Sequence, residues 1–548
     1  MRVLGLGGSH HDFCACLVDE GRVVAAVEEE RLTRAKVAFG LGPRLARCLA
    51  ADSVLEQGGI GIDDVDLVVA NDFLNKVYSV RFQDRVTWIG HHLSHAASTY
   101  YPSPFERAAV LVMDGRGSET TVGGRAAGET VTHYLAQDTD LRVVRAQVGL
   151  VTRTASPLDD PYEDSVGWFY EIITKCIGFI GRHRLSEPGK TMGLAPYGTP
   201  RYVQDMAQTY TLHDGEFRQS TAQQQALRAF AEEQLARAAG SEQAVAETAA
   251  DLAYATQANT ERIVVELAHW LHTRTGATAL CLAGGVALNS VANYLILERT
   301  PFEKLFIVPA AGDQGTALGA ALYGYHALAG RPREVSAEPF SPYLGRAYDE
   351  ADVRRALDAQ GDRIVVERPT DIHRATAAEL AGGSVVGWFQ GRAEIGPRAL
   401  GNRSILADPR QADMKDRINH KVKHREPFRP FAPVVLEDRQ AEFFSTAVPA
   451  YYMLLVPQVR SDKRDVIPAV THVDGTARLQ TASAVLNPHL TLLLEEFDKL
   501  TGVPVLLNTS FNDNHEPIVE TPEDAVRCFL GTGIDVLAIH GFLVRKAP

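Results

Sequence analysis

Residues 2–30 read as three short apolar runs, RVLGLG, DFCACLVD and RVVAAVEEE, parted by a polar Gly/Ser/His turn and by Asp19-Glu20-Gly21. Short apolar runs bounded by turn residues predict strands joined by tight turns. The pattern returns at 108–137 as AAVLVMD, the turn Gly115-Arg116-Gly117-Ser118, ETTVGGR, the turn Ala127-Gly128-Glu129 and TVTHYLA. Such a recurrence predicts two similar lobes. Segments 161–180, 222–274 and 314–328 space their apolar residues three and four apart, which predicts helices. Strands alternating with helices give an α/β class. Residues 214–250, rich in Gln, Ala and Glu, suit a solvent-facing helical insertion.

Near 331–352 the composition turns to Arg, Pro and polar residues, which places a boundary between a domain over 1–345 and a second over 353–548. The last strand is a candidate to return to the first domain. The second domain opens with helical stretches and the strand SVVGWFQ, then enters a basic tract. From Arg392 to Arg429 ten cations stand against five acids, interleaved with Gly396, Pro397, Gly401, Pro409, Pro427 and Pro430. Loops of this composition suit folding around an anion.

Charge sharpens that contrast, because the 548-residue chain carries a formal net charge of −13. A nonspecific nucleic-acid binder is disfavoured, while a local basic pocket is not. The six cysteines lie mostly in apolar runs with no CxxC spacing, which fits a reducing compartment. The chain opens as MRVLGLGG without a charged leader, and no apolar run approaches the roughly 20 residues of a membrane span. The expectation is a cytoplasmic protein with no membrane partner; oligomeric state is left open.

Several residues carry candidate chemistry. In HHLSH, His91 and His95 stand four apart, so a helix puts both imidazoles on one face, with His92 pointing elsewhere. Asp114 closes the run VLVMD, and Asp313 lies in AGDQG before a helix, both places where a carboxylate reaches a cleft at strand ends. Two imidazoles with carboxylates suit Fe(II), Mn(II) or Zn(II). Phosphate sites are suggested where Gly115 and Gly117, Gly284 and Gly285 with Asn289, and the turn around Asp313 end predicted strands. Lys190 in EPGKTMGLAPYG resembles a P-loop ending, but Arg184 stands where that motif needs glycine. His11 and Asp12 in the first turn are candidates for a base or for substrate contacts. In the second domain LLNTSFN runs a strand into Ser510 and Asn512, and Arg478 in DGTARLQ offers a planar fork for carboxylate-like or phosphate oxygens.

Taken together, GLGGSHHDFCACLVDEGRVVAAVEEERLTR, HHLSHAASTYYPSPF, MDGRG, GKTMGLAPYG, LAGGVALN, GDQGTALGAAL, GRAEIGPRALGNRSILADPR, FRPFAPVV, DGTARLQ and LLNTSFN closely resemble the O-carbamoyltransferase family of natural-product and nodulation-factor biosynthesis. The resemblance runs from about residue 2 to about 545. It implies an N-terminal actin-like (ASKHA) domain, similar to the tRNA threonylcarbamoyltransferase catalytic subunit, and a C-terminal YrdC-like α/β domain. It further implies that the YrdC-like domain makes carbamoyl-adenylate from carbamoyl phosphate and ATP with Mg²⁺. The N-terminal domain would then transfer the carbamoyl group to a hydroxyl of a small-molecule, antibiotic-like scaffold.

By the same resemblance, Arg398, Lys423, Arg429, Arg478, Ser510 and Asn512 hold carbamoyl phosphate and nucleotide, with Lys423 and Arg478 catalytic. Gly115, Gly117, Lys190, Gly284, Gly285, Asn289 and Asp313 serve nucleotide in the first domain. His91, His95, Asp114 and Asp313 bind the metal, Fe(II) with Mn(II) or Zn(II) as alternatives. His11, beside Asp12, matches the base, although this chain has both His10 and His11 where relatives carry one histidine. The acceptor pocket is expected to draw on 73–84 and 150–165. Competing readings are a tRNA threonylcarbamoyl-type transferase, which a −13 chain suits poorly, and an actin-fold small-molecule kinase, which has no need of two imidazole ligands.

Overall fold

The computed structural model describes residues 1–154, 160–181 and 184–548, and the chain separates into two compact units. The first comprises Met1–Arg22, Leu45–Arg47 and Asp63–Ala337. The second comprises Val23–Arg44, Cys48–Ile62 and Glu338–Pro548. The chain divides after Ala337, and two N-terminal segments belong with the C-terminal part, an exchange that local composition does not signal.

In the first unit, β1 (Arg2–Gly7) pairs antiparallel with β2 (Cys14–Asp19). On its other side it pairs parallel with β4 (Leu67–Asn71), which pairs parallel with β5 (Val86–Ile89). The intervening strand β3 (Arg22–Glu28) carries the chain into the second unit. The same connectivity is built again. Here β6 (Arg107–Met113) pairs antiparallel with β8 (Arg125–Gln137) and parallel with β12 (Ala279–Ala283), which pairs parallel with β13 (Lys304–Ile307).

The duplication read from the sequence is therefore present, with one correction. The run ETTVGGR does not pair with AAVLVMD. Its residues form β7 (Glu119–Val122), which folds back on the start of β8, while the rest of the 13-residue β8 lies along β6. A further strand, β9 (Asp140–Leu150), covers the open edge of β8. The small hairpin β10 (Thr211–His213) and β11 (Glu216–Arg218) completes the strands of this unit.

Helices appear near the predicted segments, as Val166–Cys176, Thr221–Ala238, Glu242–Thr275 and Thr316–Tyr323. The predicted span 222–274 is two helices, the second capped by the Ser241 side chain, which accepts from Ala244 N. Glycine sets the packing of the elements that matter most. A Cβ at Gly5 or Gly7 would strike the backbone at Ala317, so β1 takes the helix Thr316–Tyr323 at close range. A Cβ at Gly319 would strike Ser94 O, so that helix also takes the helix His91–Tyr100 closely.

The second unit holds one eight-stranded sheet in the order β14-β21-β20-β15-β16-β19-β17-β18. Its strands are β14 (Ile364–Glu367), β15 (Val386–Phe389), β16 (Arg403–Ala407), β17 (Ala432–Leu436), β18 (Gln480–Ala482), β19 (Val505–Ser510), β20 (Val536–Ile539) and β21 (Phe542–Lys546). The helices Ile372–Ala381 and Pro488–Thr501 close one core over Trp388, Leu406, Leu494 and Phe497. The last strand, β21, pairs with β20 and β14 inside this sheet, so it does not return to the first domain. Among the described residues no disulfide joins any two of the six cysteines, and no helix is long and apolar enough to cross a membrane.

Candidate metal centre and anion site

Four side chains converge in the first unit. His91 and His95 lie one turn apart on the buried helix His91–Tyr100, Asp114 follows the end of β6, and Asp313 precedes the helix Thr316–Tyr323. One ligand atom from each lies within 4.8 Å of all the others. The His91 and His95 Nε2 atoms are 3.2 Å apart, and Asp114 Oδ2 lies 3.1 Å from the first and 3.4 Å from the second. Asp313 Oδ1 approaches the same two nitrogens at 3.6 and 3.5 Å.

The surroundings aim these atoms. Asn71, at the end of β4, accepts from His91 Nδ1 at 3.1 Å, which leaves the Nε2 lone pair directed at the centre. Asp114 Oδ1 accepts from the Gly115 and Gly285 amides at 2.8 and 3.1 Å, which turns Oδ2 toward the histidines. Ser165, capping the helix Val166–Cys176, donates to Gly115 O at 2.8 Å and fixes that turn. Burial by itself would strip His91 of its proton, yet the two carboxylates push its pKa up to about 10. One buried and one half-buried carboxylate, Asp114 and Asp313, thus demand compensating positive charge, and four convergent N and O donors fit a divalent cation. His92 takes no part: it bonds Thr132 at 2.8 Å, and burial lowers its pKa to about 4.

The expected nucleotide residues of this unit divide into groups. Gly115, Gly284 and Gly285 gather about Asp114, with Gly284 at φ +89° against the Met113 backbone. Gly117 packs against the His92 ring, where a side chain would clash. Asn289 exchanges both amide groups with Gln257 at 3.0 and 3.1 Å and caps the helix Ser290–Arg299. Lys190 stands on the helix Pro188–Leu194, paired with Glu187 at 2.8 Å.

The two histidines of the first turn differ. His11 Nδ1 lies 2.9 Å from Asp12 Oδ2, whereas the His10 ring lies 5.6 Å from that of Phe73. Burial lowers the pKa of His11, but Asp12 and more distant Asp313 outweigh it and raise it to about 9. Burial lowers the pKa of His10, with Arg116 adding to the effect.

In the second unit the basic tract closes on itself. Arg398, Arg425, Arg429 and Arg478 are all half-buried. Burial and Arg429 depress Arg398 to about 10 and Arg425 to about 9, while burial and the other three guanidiniums depress Arg478 further. Glu426 approaches Arg429 at 3.8 Å, and the Nε atoms of Arg398 and Arg478 are buried without a hydrogen-bond partner. Mutual repulsion of this kind is relieved by an anion.

Lys423, buried, donates to Asn512 Oδ1 at 2.7 Å, Ser510 O at 2.5 Å and Asn512 O at 2.9 Å. Ser510 donates to Asn512 Oδ1 at 2.7 Å. Ser510 and Asn512 therefore hold Lys423.

Two residues escaped the sequence reading. Asn71 carries the signal that exposed Asp114, a polar residue closing an apolar strand run. Arg425, which stacks on Phe431 at 4.4 Å and donates to Asn419 at 2.8 Å, was legible only as one charge among ten.

Residues 71–322 match the family model described as the carbamoyltransferase N-terminus, and 377–546 match that for the carbamoyltransferase C-terminus. The nodulation protein NolNO of Sinorhizobium fredii is 37% identical, over 98% of this chain and 79% of its own. The nodulation protein NolO of Bradyrhizobium diazoefficiens is 40% identical, over 84% of this chain and 79% of its own. Full-length HypF, solved in its phosphate- and nucleotide-bound form, aligns with a TM-score of 0.39 and 14% identity, over 59% of this chain and 55% of that chain.

Proposed function

This chain belongs to the carbamoyltransferase family, and from that premise we propose that it makes carbamoyl-adenylate in its second unit and passes the carbamoyl group to a hydroxyl acceptor in its first. The observation that carries the proposal is the cluster Arg398, Arg425, Arg429 and Arg478, with two guanidinium Nε atoms buried and unpartnered. Forked guanidiniums suit the phosphoryl oxygens of carbamoyl phosphate and ATP. Lys423, held by Ser510 and Asn512, adds a fixed cation edge. Carbamoyl phosphate, ATP and one water yield carbamoyl-adenylate, phosphate and pyrophosphate, with Mg²⁺ accompanying the nucleotide.

In the first unit, His91, His95, Asp114 and Asp313 would hold a divalent metal, Fe(II) or else Mn(II) or Zn(II). Bound there, such an ion supplies Lewis-acid polarisation of a carbonyl or phosphoryl oxygen. Asn71 and the Gly115 and Gly285 amides keep the ligand atoms aimed. Unprotonated His11 takes the proton of the acceptor hydroxyl, and Asp12 orients its ring and stabilises the imidazolium that forms. AMP leaves as the carbamoyl C–O bond to the acceptor forms. The acceptor is a hydroxylated small molecule of natural-product type, and the protein works in the cytoplasm.

Incubation with ATP, Mg²⁺ and carbamoyl phosphate, without acceptor, tests the reading. Pyrophosphate dependent on carbamoyl phosphate, together with the carbamoyl-adenylate mass, supports it. ADP without pyrophosphate replaces it with a kinase.

A further inference from the structure

Residues 28–34 read EEERLTR, a run of charge that neither the metal centre nor the anion cluster includes. Such a run ordinarily lies on a solvated face. Here it is folded inward as part of the second unit, with Glu28 7%, Glu29 0% and Arg31 2% exposed. Buried charges persist where partners compensate them, so the partners show what the segment holds. Glu29 anchors it, accepting from the Leu49 and Ala50 amides at 3.2 and 2.9 Å.

The first thing held is the turn that carries Arg398. Gly396, at φ +90°, donates its amide to Glu28 Oε1 at 2.5 Å, and its carbonyl accepts from Arg31 Nη2 at 2.7 Å. Both backbone groups of one residue are thereby taken. Past Arg398, Glu394 Oε1 accepts from the Leu400, Asn402 and Arg403 amides at 2.7, 3.1 and 3.2 Å. From Ala393 to Pro409 only Pro397 and Arg398 are not buried, so the turn is pinned on both sides and Arg398 stands out from it.

The second is the support of Lys423. Arg34 closes the helix Glu29–Thr33 in the left-handed region, at φ +57°. An arginine keeps that conformation where its surroundings over-determine it. Its guanidinium donates to Ile518 O at 2.7 Å and Pro517 O at 2.8 Å, and lies 3.5 Å from Asp524. The adjoining Glu516 carbonyl accepts from the Asn512 side-chain amide at 2.7 Å. With its NH₂ engaged there, Asn512 turns Oδ1 to Lys423 and Ser510.

We propose that Glu28, Arg31 and Arg34 are positioning residues of the anion site. Glu28 and Arg31 fix the turn that presents Arg398, and Arg34 fixes the 516–518 backbone behind Asn512 and Lys423. They act through these backbone groups rather than by contact with the donor. The proposal rests on the activation reading above and adds to it a segment more than 300 residues away in the chain.

Pyrophosphate release dependent on carbamoyl phosphate is measured on the full-length protein with saturating ATP and Mg²⁺, beside thermal unfolding. Arg34→Gly removes the clamp while relieving the left-handed backbone. Its melting temperature is expected to stay near the wild-type value while kcat falls about 10–100-fold, the scale set by a small displacement in a reacting geometry. Arg34→Lys, whose single ammonium reaches one of the carbonyls, is expected to recover part of that loss. Glu28→Ala leaves the Gly396 amide without its acceptor and is expected to raise KM for carbamoyl phosphate about tenfold, because Arg398 serves binding. Glu28→Gln keeps an acceptor oxygen and is expected to hold KM near the wild-type value.

Wild-type kcat in folded Arg34→Gly overturns the proposal. So does a loss that is equal in Arg34→Gly and Arg34→Lys, since that marks general damage rather than positioning. Should Glu28→Ala not fold, the two Arg34 variants decide. A wild-type protein that releases no pyrophosphate overturns the activation reading, and the positioning roles fall with it. Release at the wild-type rate in every variant overturns the positioning roles alone and leaves the activation reading standing.

Discussion

The Nε2 atoms of His91 and His95 stand 3.2 Å apart and share the Oδ2 atom of Asp114 at 3.1 and 3.4 Å. Two imidazole nitrogens directed at one carboxylate oxygen and at each other form a candidate ligand cage. Replacing His95 with Ala removes one of its four donors, and bound metal and carbamoyl transfer are expected to fall together. Elemental analysis beside a transfer assay checks this, and a variant with wild-type metal content takes His95 out of the ligand set.

Asn71 touches the cage through His91 Nδ1. Partners of ligating histidines contribute about 10–100-fold to metal affinity or activity, so Asn71→Leu is expected to weaken metal binding by about that factor while leaving the stoichiometry at saturating metal unchanged. Competition with a chromogenic chelator measures it.

Gly319 sets the distance between the helices that carry the cage. A methyl group there meets Ser94 O and the Ser98 amide, both backbone, and overpacking costs about 1–3 kcal/mol. Gly319→Ala is expected to lower thermal stability by that order and, by moving His91 and His95 away from Asp313, to reduce metal occupancy. Calorimetry and metal analysis on one preparation test the link.

His11 predicts a pH dependence. Its pKa is raised to about 9 in the folded protein, so its proton persists well above the ordinary histidine value of about 6.5. Transfer by unprotonated His11 is expected to rise with pH toward about 9. Asp12→Asn removes the raising partner and is expected to move this limb to lower pH. The sign for stability is opposite: the His11–Asp12 pair contributes fully below about 6.5, and the contribution is lost as pH rises through about 9. Rate profiles of both proteins with saturating donor decide it.

Arg478→Ala removes a half-buried guanidinium from the anion cluster, and Lys423→Ala removes the cation that Ser510 and Asn512 hold. Both are expected to abolish pyrophosphate release dependent on carbamoyl phosphate. Transfer from supplied carbamoyl-adenylate is expected to continue; loss of both activities would overturn the separation of activation and transfer.

Local patterning carried the α/β class, the duplicated β-rich lobes and the placement of His91 and His95 on one helix face, because strand and helix periodicities are written in adjacent residues. The four side chains that converge at the candidate metal centre and the basic tract were legible for the same reason, as polar residues at strand ends and as a run of charge. Tertiary structure alone decided which strand lies beside β6, since β7 and β8 have equally strand-like sequences and pairing depends on partners far along the chain. It alone placed 23–44 and 48–62 with the C-terminal unit. It also decided which polar groups face inward: Asn71 became the orienting partner of His91, Asn289 was taken up by Gln257, and Ser510 and Asn512 were turned toward Lys423. A side chain's type states what it can bond, but its partner is set by distances that only the folded chain fixes.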